Sequence, residues 1–218
     1  MRAAAADADR HGWSVISDTS WDGYEEVPRL IMLGYTHMVA EMAADRSAGW
    51  RPDAIVVPGG VGGLLGAVAQ AARRHWAEPP RIVAVEPTSA ACLQASARAG
   101  RPTPVPGPFD TAMGGLRCGE VSPLAFEAVR PAVDAYVAID EEWMEQAMRA
   151  LARPQPPDPS LAVGACGAAA LGALFALTAD ADPEVRQALG LGSADSVVLI
   201  ATEGVTDPAV WARVVEQG

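Results

Sequence analysis

The stretch Pro58-Gly59-Gly60-Val61-Gly62-Gly63-Leu64 holds four glycines in five residues, between an apolar run (Ala54-Ile55-Val56-Val57) and a helical pattern opening at Leu64-Leu65-Gly66. A strand, a glycine turn and a helix start aim several backbone N–H groups at one point. Those orphan donors and the helix dipole favour an anion there, most often a phosphate. Glycine also leaves the backbone bare, so that a ligand can approach closely. The spacing is neither G-x-x-x-x-G-K-[ST] nor G-x-G-x-x-G, which removes support for a nucleotide triphosphate or a dinucleotide. A glycine-rich β–α turn without a ligand is the other reading open to these residues.

Other chemistry is constrained by composition. All sixteen basic residues are arginine, so a reaction that needs a lysine amine has none within this chain. Cys92, Cys118 and Cys166 are scattered, and His11, His37 and His75 lack ligand spacing; neither set reads as a metal motif. A net charge of −11 argues against nucleic acid and against an anionic membrane surface as partners. Half the residues are apolar and 20% are charged, as in a globular protein. The start of the sequence does not read as a signal peptide and no apolar run is long enough to span a bilayer, so a cytoplasmic location is expected.

The elements that must position the glycine turn can be read in order. A polar, alanine-rich start leads to a short strand at Trp13–Ser17, then a turn-forming stretch from Asp18 to Gly23. Apolar residues at helical spacing fill Tyr24 to about Arg46, with Pro28 near the start. After the glycine turn a helix is expected to about Trp76, followed by a buried strand at Arg81–Val85 and a helix over 88–99. Residues 102–119 form a long proline- and glycine-rich loop, a type of segment often given to function. A helix over 123–132, a strand at Ala135–Ile139 and a helix at Glu141–Arg153 follow. Ala162–Leu177 is apolar on every side and predicts a fully buried helix. Ser196–Ala201 reads as a last central strand, with a final helix starting near Asp207-Pro208. Strands alternating with helices predict an α/β fold, a parallel twisted sheet with helices on both faces. No linker divides the 218 residues into separate domains.

Several of these stretches, taken together and in order, resemble the C-terminal part of the diaminopropionate ammonia-lyase family. These are Ser17-Asp18-Thr19-Ser20-Trp21-Asp22-Gly23-Tyr24-Glu25-Glu26-Val27-Pro28, Leu33-Gly34-Tyr35-Thr36 and the Pro58–Leu64 turn. They continue with Val85-Glu86-Pro87, Thr111–Glu120, Gly164-Ala165-Cys166-Gly167-Ala168 and Thr202–Pro208. The resemblance implies a pyridoxal phosphate (PLP) enzyme of fold type II, tryptophan synthase β-like, with serine/threonine dehydratase-like lyases as the neighbouring alternative. It implies that Gly59, Gly60, Val61, Gly62 and Gly63 cradle the cofactor phosphate, with Gly115 beside the cofactor. Cys166 falls where a neutral partner of the pyridine nitrogen is expected. The family commonly has Gly-Glu-Ser-Gly-Ala here, against Gly-Ala-Cys-Gly-Ala in this chain. Asp18 becomes the acid/base candidate, for removal of a Cα proton or protonation of a departing β-amine. On its own residues, Asp18 reads as readily as a cap for the helix over 24–46.

The reaction so implied is α,β-elimination on 2,3-diaminopropionate, giving pyruvate and ammonia. In this fold group a lysine preceding the Asp18 motif holds the cofactor as a Schiff base. Relative to that pattern the chain is a partial lyase, incomplete at the N-terminus, and it is expected to be inactive alone. A small amino-acid substrate, and either a homodimer or a separate N-terminal half, are the implied partners. A non-catalytic remnant that binds PLP or phosphate is the further alternative. The resemblance also suggests that Cys92 and Cys118 approach each other.

Overall fold

The computed structural model describes residues 2–44, 50–179, 189, 192 and 195–217. Its centre is a parallel sheet of order β3-β2-β1-β4. Strand β1 is Ala54–Pro58, β2 Arg81–Pro87, β3 Ala135–Ile139 and β4 Val197–Leu199. Ile55 sits between Ile82 and Val198, while Val57 faces Ala84. Every β1 residue is buried, as are all of β2 beyond Arg81, so a continuous apolar run marks a strand covered on both faces.

The twofold alternation of strand side chains sorts these residues into two cores. Val56, Val83 and Val85 point to one face, against α6 (Glu141–Ala152) and α7 (Ala165–Ala179), where Met144, Met148 and Ala169 pack. Ile55, Val57, Ile82 and Ala84 point to the other, against α3 (Gly63–His75), with Leu65 and Val68. Helix α2 (Glu26–Ala44) packs on α3 and adds Val39 to that core. The remaining helices are α1 (Arg2–His11), α4 (Cys92–Ala99), α5 (Pro123–Val129) and a short turn of helix at Pro208–Trp211. This is the α/β fold expected from the sequence.

Four expectations need correction. Trp13–Ser17 is not a strand: no strand among the described residues pairs with it, Trp13 and Ile16 are exposed, and its later residues are held by the Tyr24 side chain. The Tyr24 hydroxyl donates to the Val15 carbonyl at 2.8 Å and accepts from the Ser17 N–H at 3.0 Å. The last strand is shorter than expected and lies at the edge of the described sheet, outside β1. The helix expected over 123–132 stops at Val129: Arg130 keeps helical angles (φ −51°, ψ −44°), but Pro131 after it has no N–H with which to continue the ladder. Helix α7 is buried along its first half, with Leu171 and residues 174–176 partly open, and Arg46 lies outside the described residues.

Candidate cofactor and active site

The strands deliver their C-terminal ends to one side of the sheet, where ligands of open α/β folds usually bind. A cavity of about 400 Å³ opens there. Asp18, Gly59, Gly60, Val61, Gly63, Gly115 and Cys166 all line it, with Glu203 and Cys118. Seven of the eight candidate residues therefore meet in one place.

Gly62 is the exception, and the geometry gives its reason. Its φ is +99°, and a Cβ there would lie 3.3 Å from both Ala125 Cβ and Leu93 Cδ2. It faces the core, so glycine is required by the turn and its packing and not by a ligand. Gly59 is similar: an added Cβ would meet Leu93 Cδ1 at 2.7 Å and Glu86 Cγ at 3.1 Å. Its N–H is already spent on the Val85 carbonyl at 2.8 Å, as that of Gly62 is on the Gly59 carbonyl at 3.0 Å. The donors left over are the N–H groups of Gly60, Val61, Gly63 and Leu64, which have no acceptor among the described residues. Those same four residues line the cavity. Unsatisfied donors at the start of a helix are suited to an anion.

A second anchor lies at the start of α7. The Cys166 thiol accepts from the Gly115 N–H at 3.2 Å. Burial, and then the charge of Glu203, push this thiol up to about 12, so it stays neutral near pH 7. Sequence reasoning places Glu203 within a motif and assigns it no role. Its Oε2 accepts from the Cys166 and Gly167 N–H groups at 2.6 and 3.3 Å, and its Oε1 from the Thr206 hydroxyl at 2.8 Å. A carboxylate over the first turn complements the helix dipole. The close approach explains Gly164, where a Cβ would collide with the Gly204 carbonyl oxygen at 2.2 Å. The signal available in the sequence is an acidic residue just after the final strand.

Asp18 reaches the cavity through a serine pair. Ser20 is buried, donates its N–H to Ser122 Oγ at 3.0 Å, and its own hydroxyl lies 2.8 Å from that oxygen. Ser20 Oγ also accepts from the Leu124 N–H at the start of α5. The Ser122 N–H in turn donates to the Val61 carbonyl at 2.9 Å. One serine thus fastens both the Asp18 segment and the glycine turn. Helix α2 starts at Glu26, well beyond Asp18, so the capping role does not apply. Asp18 is exposed and accepts only from the Thr19 hydroxyl at 3.2 Å among the described residues.

Cys92 and Cys118 flank the glycine turn as free thiols. Cys92 Sγ contacts the Gly60 carbonyl at 3.6 Å, while Cys118 Sγ lies 3.8 Å from where a Gly60 Cβ would be. Behind them Glu86 is buried and accepts from the Leu93 and Gln94 N–H groups, each at 2.8 Å, at the start of α4. Burial raises its carboxyl to about 7 against those lowering bonds. No helix among the described residues is long and apolar enough to cross a membrane, and they contain no cluster suited to a metal ion.

Known proteins share this fold. The model of the pyridoxal-phosphate dependent enzyme family matches residues 1–203. Diaminopropionate ammonia-lyase from Escherichia coli K12 is 32% identical over 221 residues, and that of Salmonella typhimurium LT2 is 32% identical over 227. Each alignment covers the whole chain and 56% of the relative, so the chain spans little more than half the length of these proteins. The solved structure of the E. coli ammonia-lyase with an aminoacrylate-PLP azomethine intermediate superposes with a TM-score of 0.90 at 31% identity, covering 100% of this chain and 56% of that one. The threonine deaminase of T.th. shares the fold, with a TM-score of 0.75 at 24% identity over 95% of this chain and 66% of its own. The sheet is that of PLP fold type II, the cofactor is pyridoxal phosphate, and this chain belongs to the pyridoxal-phosphate dependent enzyme family.

Proposed function

We propose that the chain is the cofactor-holding part of an ammonia-lyase that takes 2,3-diaminopropionate to pyruvate and ammonia by α,β-elimination. The observation that carries this reading is the pairing of two anchors in one cavity. Four unpartnered N–H groups at the start of α3 suit a phosphate, and the Gly115–Cys166 contact at the start of α7 suits the ring nitrogen. A side chain at residue 115 would place its Cβ 3.3 Å from the thiol, so glycine keeps the wall flat there.

When bound, pyridoxal phosphate supplies an electron sink for the pair released at the substrate Cα. The residues of the chain set how that sink behaves. A thiol held neutral by burial does not protonate the ring nitrogen, which keeps the sink moderate, as an elimination requires. Asp18 stands at the rim of the same cavity and can move a proton at Cα or at the departing β-amine. Its exposure means that a lyase cycle needs further chain over it, to exclude water from the reacting atoms. Chain beyond these 218 residues, a partner polypeptide or a second copy would supply that covering. Because the chain contains no lysine, it does not turn over alone on this reading.

Co-expression with the portion of the E. coli relative that this chain does not match tests the proposal. Pyruvate release from 2,3-diaminopropionate by that pair, abolished by Asp18→Asn, is the expected result. Cofactor binding by the pair without any pyruvate would overturn it in favour of a non-catalytic phosphate-binding remnant, which the absence of lysine also suits.

A further inference from the structure

A second cavity, of about 350 Å³, lies on the other side of Gly115 and Glu203, which line both spaces. We propose that it is a binding site for a short α-amino acid, separate from the cofactor cavity. The claim stands apart from the elimination reading, since its charged poles, Arg117 and Asp207, line only this cavity and not the cofactor cavity.

Arg117 supplies one pole. Its Nε donates to the Thr111 carbonyl at 2.7 Å, and Thr111 is buried and bonded through its hydroxyl to Glu141 at the start of α6. Glu141 also accepts from the Ala112 N–H at 2.9 Å. The guanidinium is therefore fixed at its base, while it forms no ion pair among the described residues. Its terminal N–H groups present the planar fork that matches a carboxylate.

Asp207 supplies the opposite pole. Its Oδ1 accepts from the Ala209 and Val210 N–H groups, capping the short helix after it, which leaves Oδ2 without a partner among the described residues. Glu203 adds a second negative charge on the same cavity. An arginine and two carboxylates thus line one space of amino-acid size without pairing with each other. A ligand that carries a carboxylate and an ammonium on one carbon offers a partner to each pole, and neither group alone does. Met148 and Val210 give the cavity an apolar part, suited to a small side chain.

The test is an amide NMR titration of the cofactor-free chain with L-alanine. Shifts at Gly164, Thr206 and Val210 are expected, with Arg117→Gln weakening the affinity about tenfold, the loss of one charge-assisted contact. L-alaninamide, which lacks the carboxylate, should give no saturable shifts at those residues, and Asp207→Asn should weaken L-alanine as well. Amide dispersion of each variant reports that it is folded. Shifts confined to Gly60, Val61 and Gly63, or an Arg117→Gln chain that is folded and binds L-alanine as before, would overturn the assignment.

Discussion

The glycine turn and the Asp18 segment face the same cavity, but they are held in different ways. The turn grows directly out of a fully buried strand, closes through backbone bonds to Val85 and within itself, and packs on Leu93 and Ala125. The Asp18 segment has no strand or helix of its own and hangs on the serine pair and the Tyr24 hydroxyl. The cradle is thus a property of the core, whereas the proton-moving group is a loop residue on a few side-chain tethers. Such a division lets the acid/base segment reposition when further chain or substrate arrives, while the phosphate site stays fixed.

The largest effects that expose this difference belong in the turn. Gly59→Val drives a side chain into Leu93 and Glu86, and Gly62→Val adds a strained φ of +99° to contacts at 3.3 Å. Each is expected to destabilise the chain by about 3 kcal/mol, read as a lower urea midpoint. Gly63→Ala is the contrast, since its Cβ would meet nothing closer than 4.0 Å. That variant should keep its stability and change only phosphate affinity. A fully stable Gly62→Val that had merely lost phosphate binding would show that this residue belongs to the ligand surface after all.

Ser122→Ala comes next. It strands the Ser20 N–H in a buried site and leaves the Ser20 hydroxyl only the Leu124 N–H, at a cost of about 2 kcal/mol. Hydrogen exchange should speed up at Ser20 more than at Val56 in the sheet centre. Equal acceleration at both would mean that the two regions are one cooperative unit.

The support behind the turn should respond to pH. The Glu86 carboxyl sits near 4.5 when unfolded and about 7 when folded, raised by burial. A raised folded value means that the native state binds the proton more tightly. Its contribution, on the order of 3 kcal/mol, is complete below pH 4.5 and is lost as pH rises through 7. Thermal unfolding between pH 5 and 8 should show Tm falling with pH, and Glu86→Gln should flatten that slope, costing stability at pH 5 and little at pH 8. A wild-type slope retained in the glutamine variant would assign the effect to another group.

How much of this is legible in the sequence follows the same division. β1, β2 and α3 are readable because continuous apolar runs and a glycine cluster leave few alternatives. The layer each strand residue enters needs the register, such as Ile55 with Ile82 and Val198, which no local pattern contains. The roles of Gly59 and Gly62 are hidden, because glycines that admit a ligand and glycines that admit a neighbouring side chain look identical in sequence. Ser20 and Ser122 meet across a separation of 102 residues, and Glu203 meets Cys166 across 37, so their partnerships come only from the fold. Trp13–Ser17 has strand-forming residues but no adjacent strand among the described residues to pair with, and pairing, not propensity, decides a strand.

The smallest expected effect on stability is also the one that separates the two regions most sharply. Asp18 is exposed, forms no ion pair among the described residues, and accepts one hydrogen bond from its neighbour Thr19. Asparagine keeps the carbonyl oxygen that Thr19 uses and removes only the charge. Surface changes away from caps and buried networks usually stay within about 0.5 kcal/mol, so Asp18→Asn should unfold at the same urea concentration as the parent chain. Phosphate binding at the Gly60–Gly63 turn should persist as well, because the donors there are backbone groups. The charge change can even strengthen it slightly, since removing an anion from the cavity rim lowers repulsion on an incoming phosphate. That gain should shrink in roughly 0.5 M salt, where the Debye length falls to roughly 4 Å. A large stability loss in Asp18→Asn would place the residue within the structural network of Ser20 and Ser122, and the separation between a fixed cradle and a free acid/base segment would collapse.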